Sequence, residues 1–400
     1  MPSRRGGLPE WITRDYLEDL LRNSLEDNSL TLEKFTITPG SNLGDNFICQ
    51  IIRIKLYYDD KGQKQTISII GKILHLTKLI KVFTKDHDSF HNEALFVSKT
   101  LPDMYKQLHA VNSRISRFYP KTVCVDERNK TIYMEDLKEI GYEMARTKGS
   151  LDFEHAICAI KSLAIMHASG YLLLKKNPEI QELYGNYFWK THSGSICEKT
   201  ATKNLLYLTE AVNKWPISYE CKNKLRKLKG NLYRMGSNAY NRKENSFNVL
   251  LHGDCWINNF MFKYDGKKVI DAKLFDFQYS NYNSIGLDLN FFIFKSVGEE
   301  VKTHHINELL SIYYQTFVGI TGKVDGFDMD VVRKEFLDRL GFGLYCQMIF
   351  RPGIMSPTGL DFDAYCKNEE SESNQRIYSN EKFISEVIKL VPLFEEHGCL

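Results

Sequence analysis

Residues 249–262 read VLLHGDCWINNFMF and residues 272–278 read AKLFDFQ, and these two stretches decide the fold. Two apolar, strand-like segments flank a loop that carries Asp254 and, five residues later, Asn259. Asp276 ends the next strand-like segment. A carboxylate without a partner is costly to bury among Leu, Trp, Phe and Met side chains. The pattern therefore indicates a functional site.

The alternative is a plain β-hairpin whose polar residues are solvated. The dipeptide Asp265-Gly266 fits that interpretation, because it is typical of a tight hairpin turn and lies between Phe262 and Val269. A hairpin alone does not explain why His, Asp and Asn occur among large apolar side chains in the loop that precedes it.

Phosphoryl transfer from ATP requires the residue types that this pattern supplies. One carboxylate orients the acceptor hydroxyl and takes its proton, while an amide oxygen and a second carboxylate hold Mg²⁺ against the phosphates. The catalytic loop of protein kinases, H-R-D-x-x-x-x-N followed by D-F-G, has the same interval between its Asp and its Asn. We therefore predict catalytic roles for Asp254 and Asn259, and a Mg²⁺ site at Asn259 and Asp276. His252 is expected to organise the loop rather than to act as the base.

The motif region resembles a known family. The run LLHGDCWINNFMFKYDG, followed by AKLFDFQYSNYNSIGLDLNFFIF, is similar to the ecdysteroid kinase-like family of insects. That family belongs to the choline/aminoglycoside kinase-like group, which is related to protein kinases. The resemblance extends over nearly the whole chain, from LPEWITRDYLEDLL onward, and is most specific between Leu250 and Phe294.

The resemblance implies an α+β, bilobal, protein-kinase-like fold. Residues 1–136 would form a small β-rich N-terminal lobe with one key helix, and residues 137–400 a larger, mostly helical C-terminal lobe. The length of 400 residues agrees with this, because it exceeds what one compact core usually holds.

Composition excludes several other classes of protein. The net charge of +3 and the lack of a long Lys/Arg run give no support to nucleic-acid binding. The basic N-terminus is not followed by an apolar segment, and we find no run of about 18 uncharged apolar residues, so neither a signal peptide nor a membrane span is expected. Nine cysteines without C-x-x-C pairs predict reduced thiols in a cytoplasmic protein. No obligate protein partner is indicated.

The N-terminal part contains the predicted nucleotide-binding elements. A hairpin of residues 48–58 and 65–74 follows the segment TPGSNLGDNF, in which Gly44 and Asn46 would cover the phosphates. A plain turn is the alternative for that segment. Lys72 lies within the second apolar strand, where it would contact the α- and β-phosphates and pair with Glu93 on the following helix. Alternatively, Lys72 extends from an edge strand to solvent, and Glu93 is a solvated helix residue.

Three further predictions follow from the kinase interpretation. The segment after the strand 131–134 would be the hinge that binds adenine, with Glu135 and Leu137 as nucleotide-binding residues; otherwise it is an acidic loop. His167, near the end of a helix that Ser150 caps, is either a core residue or a contact of the catalytic loop. Asp288 resembles the family's buried aspartate that anchors this loop, or it caps its own helix.

The remainder of the chain is expected to be helical. Residues 171–246 predict two or three helices rich in aromatic residues, and further helices are expected at 305–319, 328–351 and 380–395. The acidic stretch 367–375 is expected to be an exposed loop.

The sequence thus predicts an ATP- and Mg²⁺-dependent small-molecule kinase. The H-G-D and D-F-Q motifs, with no A-P-E after them, point away from protein substrates. The resemblance implies an ecdysteroid or another apolar or xenobiotic alcohol as acceptor. A choline- or aminoglycoside-type kinase with a cationic acceptor is one alternative, and a non-catalytic nucleotide-binding relative is another. The non-catalytic alternative is disfavoured because the five residues of a kinase site are all present: Lys72, Glu93, Asp254, Asn259 and Asp276.

Overall fold

The computed structural model describes residues 8–40, 49–74, 88–147, 149–185, 196–356, 364 and 371–400. Its contacts divide the chain into two compact units: Met1–Ile80 with Pro120–Gly141, and Lys81–Tyr119 with Tyr142–Leu400. The first is rich in strands and the second is mostly helical. The predicted α+β fold class is therefore confirmed.

The two units do not coincide with the predicted lobes. The helix that carries Glu93 was expected in the N-terminal lobe, but its contacts group it with the second unit. The reason is packing, since its continuation Leu101–Val111 lies against the long helix Phe153–Lys176. The lobe boundary at residues 136 and 137 stays a prediction.

The first unit is built on a five-stranded antiparallel sheet. Its strands are β1 (Thr31–Pro39), β2 (Cys49–Asp60), β3 (Gln63–Leu74), β4 (Thr122–Asp126) and β5 (Thr131–Glu135), in the order β1-β2-β3-β5-β4. The hairpin predicted at residues 48–58 and 65–74 is present, since β2 pairs with β3, and β4 and β5 form a second hairpin. In the first hairpin, Lys61 and Gly62 have φ of 53° and 88°. Positive φ at both positions is typical of the two-residue turns that suit twisted strands.

Helix α1 (Arg14–Leu25) covers the apolar face of this sheet. Its Leu17, Leu20 and Leu21 are buried in the core that the strands provide. The hydroxyl group of Tyr16 donates to Asp126 Oδ2 at 2.7 Å. This contact adds a polar attachment between the helix and the end of β4.

The second unit contains the remaining elements. Three strands pair as β6-β8-β9 and two as β10-β7, with the bounds Tyr142–Glu143 (β6), Asn248–Leu251 (β7), Phe260–Asp265 (β8), Lys268–Leu274 (β9) and Asn281–Ser284 (β10). The helices in chain order are Ser89–Leu95 (α2), Leu101–Val111 (α3), Phe153–Lys176 (α4), Ile180–Leu183 (α5), Ile196–Val212 (α6), Tyr219–Lys227 (α7), Leu232–Ala239 (α8), Ile285–Ser296 (α9), Glu299–His304 (α10), Ile306–Thr321 (α11), Met329–Asp338 (α12), Leu340–Tyr345 (α13), Arg351–Met355 (α14), Glu372–Arg376 (α15) and Glu381–Glu396 (α16).

Helix α4 is the central helix of this unit. Asp152, not Ser150, caps it by accepting the backbone N–H of His155 at 3.0 Å. His167 lies inside the helix, which continues to Lys176, rather than near its end. Within the described ranges, α4 alone is long and apolar enough to cross a membrane, but most of it is buried against α11, β7 and β9.

Several helices depart from their predicted bounds. The predicted helix 328–351 is divided into α12, α13 and a π-helical turn at Cys346–Phe350. A second π-turn, Phe96–Thr100, joins α2 to α3. The stretch 367–375, expected as an exposed loop, includes the start of α15, because Ser371 accepts the backbone N–H of Asn374 and begins a helix. Residues 171–246 contain more helices than the two or three predicted, since α5 to α8 and the end of α4 all lie there.

A buried charge cluster holds the C-terminal helices together. Glu386 of α16 accepts hydrogen bonds from Lys302 at 2.9 Å and from Arg351 at 2.7 Å. Gln347 also donates to it, at 3.2 Å. Burial alone would raise the pKa of Glu386, but the two cations outweigh burial and lower it to about 2.

Replacing Glu386 with Gln is expected to destabilise the protein by roughly 3–5 kcal/mol at pH 7, because two buried cations lose their anionic partner. The pKa of Glu386 in the folded protein lies below its ordinary value of 4.5. Its stabilisation is therefore complete above pH 4.5 and is lost as the pH falls toward 2. Urea unfolding of the wild-type protein at pH 7 and pH 3, and of E386Q at pH 7, measures both effects.

Glu395→Gln is the matched control, since Glu395 lies on the same helix and pairs with Lys224 at 2.9 Å, but its side chain is 34% exposed. This change should cost about 1 kcal/mol or less. Equal losses in the free energy of unfolding for E386Q and E395Q would show that the buried cluster stabilises the protein no more than a partly exposed ion pair does.

Candidate active site

The loop between β7 and β8 places Asp254 between two polar partners. Its Oδ1 lies 3.3 Å from the ammonium nitrogen of Lys295, and its Oδ2 accepts the amide N–H of Asn259 at 3.1 Å. The same amide nitrogen donates to the backbone oxygen of Asp254 at 2.8 Å. The structure therefore brings the two predicted catalytic residues together.

The carboxyl group of Asp254 is perturbed by its surroundings. Burial raises its pKa to about 6, and the positive charge of Lys295 limits the rise. The neighbouring carboxylate of Asp276 contributes in the same direction as burial. Strong perturbation by burial and by specific charges is typical of functional carboxylates.

Helix α9 fixes the conformation of the loop between β7 and β8. Asp288 is 1% exposed, and its two oxygens accept the backbone N–H groups of His252 at 2.7 Å and Gly253 at 3.0 Å. Later in the loop, the Ile257 N–H donates to the hydroxyl group of Ser296 at 2.9 Å. The prediction that Asp288 anchors the loop is confirmed, whereas the cap of α9 is Ser284.

Two histidines support this arrangement. The Nε2 of His167 lies 3.1 Å from Asp288, and its Nδ1 lies 2.8 Å from the hydroxyl group of Tyr313. His252 places Nε2 3.0 Å from the Phe275 carbonyl oxygen, and its Nδ1 accepts the Asp254 N–H at 3.2 Å. Burial lowers the pKa of His252, which favours the neutral ring. Because both ring nitrogens have backbone partners, His252 organises the loop, as predicted.

Gly253 is required by the geometry of the loop. Its φ is +80°, and a Cβ atom added there would lie 2.1 Å from the carbonyl oxygen of Tyr279. A left-handed conformation is costly for most residues that carry a side chain, and so short a contact excludes a Cβ atom. In the sequence, Gly253 stood out only because it replaces the Arg of the H-R-D motif of protein kinases. The steric need for glycine at this position was not predicted.

Gly253→Ala should therefore destabilise the protein by roughly 2–5 kcal/mol, the sum of backbone strain and overpacking. Gly266→Ala is the control, because Gly266 also has positive φ, at +59°, but nothing lies within 4 Å of an added Cβ. It should cost about 1 kcal/mol. Chemical denaturation compares the two, and similar losses would show that the contact with Tyr279 is unimportant.

The two predicted Mg²⁺ ligands are brought close by the backbone. The Asn259 carbonyl oxygen accepts the N–H of Phe275, the residue before Asp276, at 3.1 Å. The amide nitrogen of Asn259 is directed at Asp254, which leaves its amide oxygen for a cation. Asp276 has φ of +68°, a conformation that is uncommon for a residue other than glycine and recurs at functional sites.

This pair fits the way in which proteins bind Mg²⁺. Among the residues that the structure describes, no group of three or more His, Cys, Asp or Glu side chains could hold a metal by itself. Mg²⁺ usually takes only one or two carboxylate ligands from the protein and completes its shell with phosphates and water. An amide oxygen and a carboxylate are thus a suitable donor set for Mg²⁺ on a nucleotide.

The helix that carries Glu93 is attached to the segment that follows Asp276. Asn92, its neighbour, donates to the carbonyl oxygens of Gln278 at 3.1 Å and Ser280 at 3.0 Å. The ring of Phe96 stacks on Phe277, with centroids 5.4 Å apart. Glu93 is 3% exposed, so it is not the solvated helix residue of the alternative interpretation.

The first unit contains the other predicted nucleotide-binding residues. Lys72 is 7% exposed on β3, which pairs with both β2 and β5, so Lys72 does not lie on an edge strand. Its pairing with Glu93 stays a prediction. Gly44 and Asn46 lie outside the described residues.

The predicted hinge is pinned to the sheet by Asp136. Arg53 Nε and the Ser68 hydroxyl donate to it at 2.6 and 2.8 Å. Burial raises the pKa of Asp136, but these hydrogen bonds outweigh it and lower the pKa below its ordinary value. Glu135 accepts the Lys121 N–H at 3.0 Å, and Leu137 is buried. Their roles in adenine binding stay predictions.

Lys295 was not among the residues predicted from the sequence. It follows the apolar run LNFFIF at the end of α9. A lysine next to an apolar run is the same signal by which Lys72 was singled out. Its partner Asp254 is 41 residues away, so no local pattern could have revealed the pair.

The sequence matches the ecdysteroid kinase-like family over residues 43–325, which is more than half of the chain. The protein therefore belongs to this kinase-like family. The matched range contains every predicted site residue, although it is narrower than the resemblance suggested. A search of curated proteins finds no match.

The solved structures that are similar to the chain include two small-molecule phosphotransferases. One is an ethanolamine kinase from Plasmodium vivax, with 15% identity and a TM-score of 0.45, covering 96% of this chain and 88% of that one. The other is an aminoglycoside-3'-phosphotransferase of type VIII, with 12% identity and a TM-score of 0.34, covering 84% of this chain and 99% of that one.

Proposed function

We propose that this protein is an ATP-dependent small-molecule kinase that transfers the γ-phosphoryl group to an alcohol hydroxyl. The proposal is supported by its membership of the ecdysteroid kinase-like family. The observation that carries it is the position of Asp254, a partly buried carboxylate bonded on one oxygen by Lys295 and on the other by Asn259. A carboxylate fixed in this way is suited to orienting one hydroxyl group.

Asp254 accepts a hydrogen bond from the acceptor hydroxyl and takes its proton as the oxygen attacks phosphorus. Asn259 and Asp276 would provide the oxygen ligands for Mg²⁺. When bound, ATP would supply the γ-phosphoryl group, with ADP as the leaving group, and the Mg²⁺ would neutralise the negative charge that develops during the transfer. The nucleotide-binding roles predicted for Gly44, Asn46, Lys72, Glu93, Glu135 and Leu137 are part of this proposal.

The acceptor that we propose is an ecdysteroid or another apolar or xenobiotic alcohol. The name of the family supports a steroid acceptor, and the H-G-D and D-F-Q motifs disfavour a protein substrate. A cytoplasmic location belongs to the same proposal, and the cysteines that the structure describes are free thiols, which agrees with it.

The experiment is a screen of ATP consumption with ecdysteroids, other sterols, choline and plant-type glycosides as acceptors. Wild-type protein is compared with Asp254→Asn and with Asp265→Asn, which makes the same chemical change at the exposed turn between β8 and β9. We expect acceptor-dependent consumption in wild type and D265N but not in D254N. If the protein binds ATP but consumes none of it with any of the tested acceptors, the result would instead support the non-catalytic alternative.

A further inference from the structure

Lys295 occupies an aromatic cage beside the catalytic carboxylate. Its ammonium nitrogen lies 4.3 Å from the ring centroid of Trp256, 4.2 Å from that of Phe291 and 4.9 Å from that of Phe350. On the remaining side it meets Asp254 Oδ1 at 3.3 Å. Rings and a carboxylate around one positive charge are the means by which proteins recognise ammonium ligands.

The cage is assembled from separate parts of the chain. Trp256 comes from the catalytic loop, Phe291 lies one helical turn before Lys295 on α9, and Phe350 ends the π-turn Cys346–Phe350. π-turns are rare and frequently occur at functional sites. The next residue, Arg351, donates to the Lys295 carbonyl oxygen at 3.2 Å, so the buried charge cluster also fixes the backbone there.

We propose that Lys295 excludes cationic acceptors, because its own ammonium group fills the cation site next to Asp254. This inference rests on the proposed function. An acceptor hydroxyl must come within hydrogen-bonding distance of Asp254, whose carboxylate already faces Lys295. An ammonium group two carbons from that hydroxyl would lie about 6 Å from Lys295, where repulsion of two unit charges amounts to about a hundredfold in affinity.

The site accordingly takes alcohols that carry no positive charge near the hydroxyl. The cage is not closed, since Trp256 and Phe350 are both partly exposed. A smaller, neutral residue at position 295 would leave an open aromatic cavity beside Asp254. Such a cavity should bind a quaternary ammonium ion, which wild-type protein should reject.

Calorimetric titration with tetramethylammonium and choline tests the inference. Wild-type protein should show no binding, Lys295→Ala should gain at least about tenfold in affinity, and adding Trp256→Leu should remove the gain. Lys273→Ala is the control, because Lys273 is also buried and its ammonium lies 5.1 Å from the Tyr142 ring centroid, but not beside Asp254. Binding to wild type as tight as to K295A, or no gain in folded K295A, would overturn the proposal.

A second measurement applies if K295A does not fold. Lys295→Met keeps most of the volume but removes the charge, and choline is compared with its uncharged isostere 3,3-dimethylbutan-1-ol as acceptor. The ratio of kcat/KM for choline to that for the isostere should rise about a hundredfold in K295M. An unchanged ratio would overturn the proposal. The titrations measure binding and need no turnover. If the protein phosphorylates none of the acceptors, the proposed function is contradicted, but the titrations still test the inference about Lys295.

Discussion

Asp276→Asn is expected to abolish turnover. The carboxylate is one of the two protein oxygens proposed for Mg²⁺, and a neutral amide binds that ion weakly. Losing the metal removes several kcal/mol of stabilisation of the transferring charge, which corresponds to at least about a 10³-fold fall in kcat. ADP release at increasing Mg²⁺ concentration measures this, and chelation of Mg²⁺ should stop the wild-type enzyme in the same way.

Asp265→Asn is the control for this variant, because Asp265 is exposed at a turn of the same β8–β9 hairpin. It should leave kcat, the Mg²⁺ dependence and the thermal midpoint unchanged. Wild-type activity in folded D276N would show that the metal ligands have been assigned to the wrong residues.

Asp254→Asn should reduce kcat by roughly 10²–10⁴-fold, the usual contribution of a positioned base. Its affinity for Mg²⁺–ATP should change little, because the metal is assigned to Asn259 and Asp276. Asn has nearly the same volume as Asp, so it still fills the space beside Lys295. The measurement is steady-state kinetics together with a nucleotide titration. A fall in affinity with unchanged kcat would mean that Asp254 binds the nucleotide and is not the base.

Local signals in the sequence were sufficient for several parts of the fold. The hairpin of residues 48–58 and 65–74 was predicted from its two apolar segments, and the structure pairs β2 with β3 there. The Asp254–Asn259 interval assigned both residues to one predicted site, and the structure joins their side chains by a hydrogen bond. Asp288 was recognised through its resemblance to a family position, and its bonds to the loop are observed.

Other features depend on contacts that no local pattern encodes. Gly253 must be glycine because of the Tyr279 carbonyl oxygen, which is supplied by a different segment. The environment of Lys295 requires Phe350, whose position is set by a π-turn and not by helical periodicity. The resemblance to the family placed the helix of Glu93 in the N-terminal lobe, whereas the contacts of that helix group it with the second unit.

The most direct measurement of the central claim follows the label from γ-labelled ATP. Wild-type protein, D254N and D265N are incubated with Mg²⁺–ATP and an ecdysteroid or other uncharged alcohol, and the product is identified by mass spectrometry. We predict a labelled phosphate ester on a hydroxyl group in wild type and D265N, and none in D254N or without Mg²⁺. Equal transfer by D254N, or no labelled alcohol from any acceptor by nucleotide-bound wild-type protein, would contradict the account.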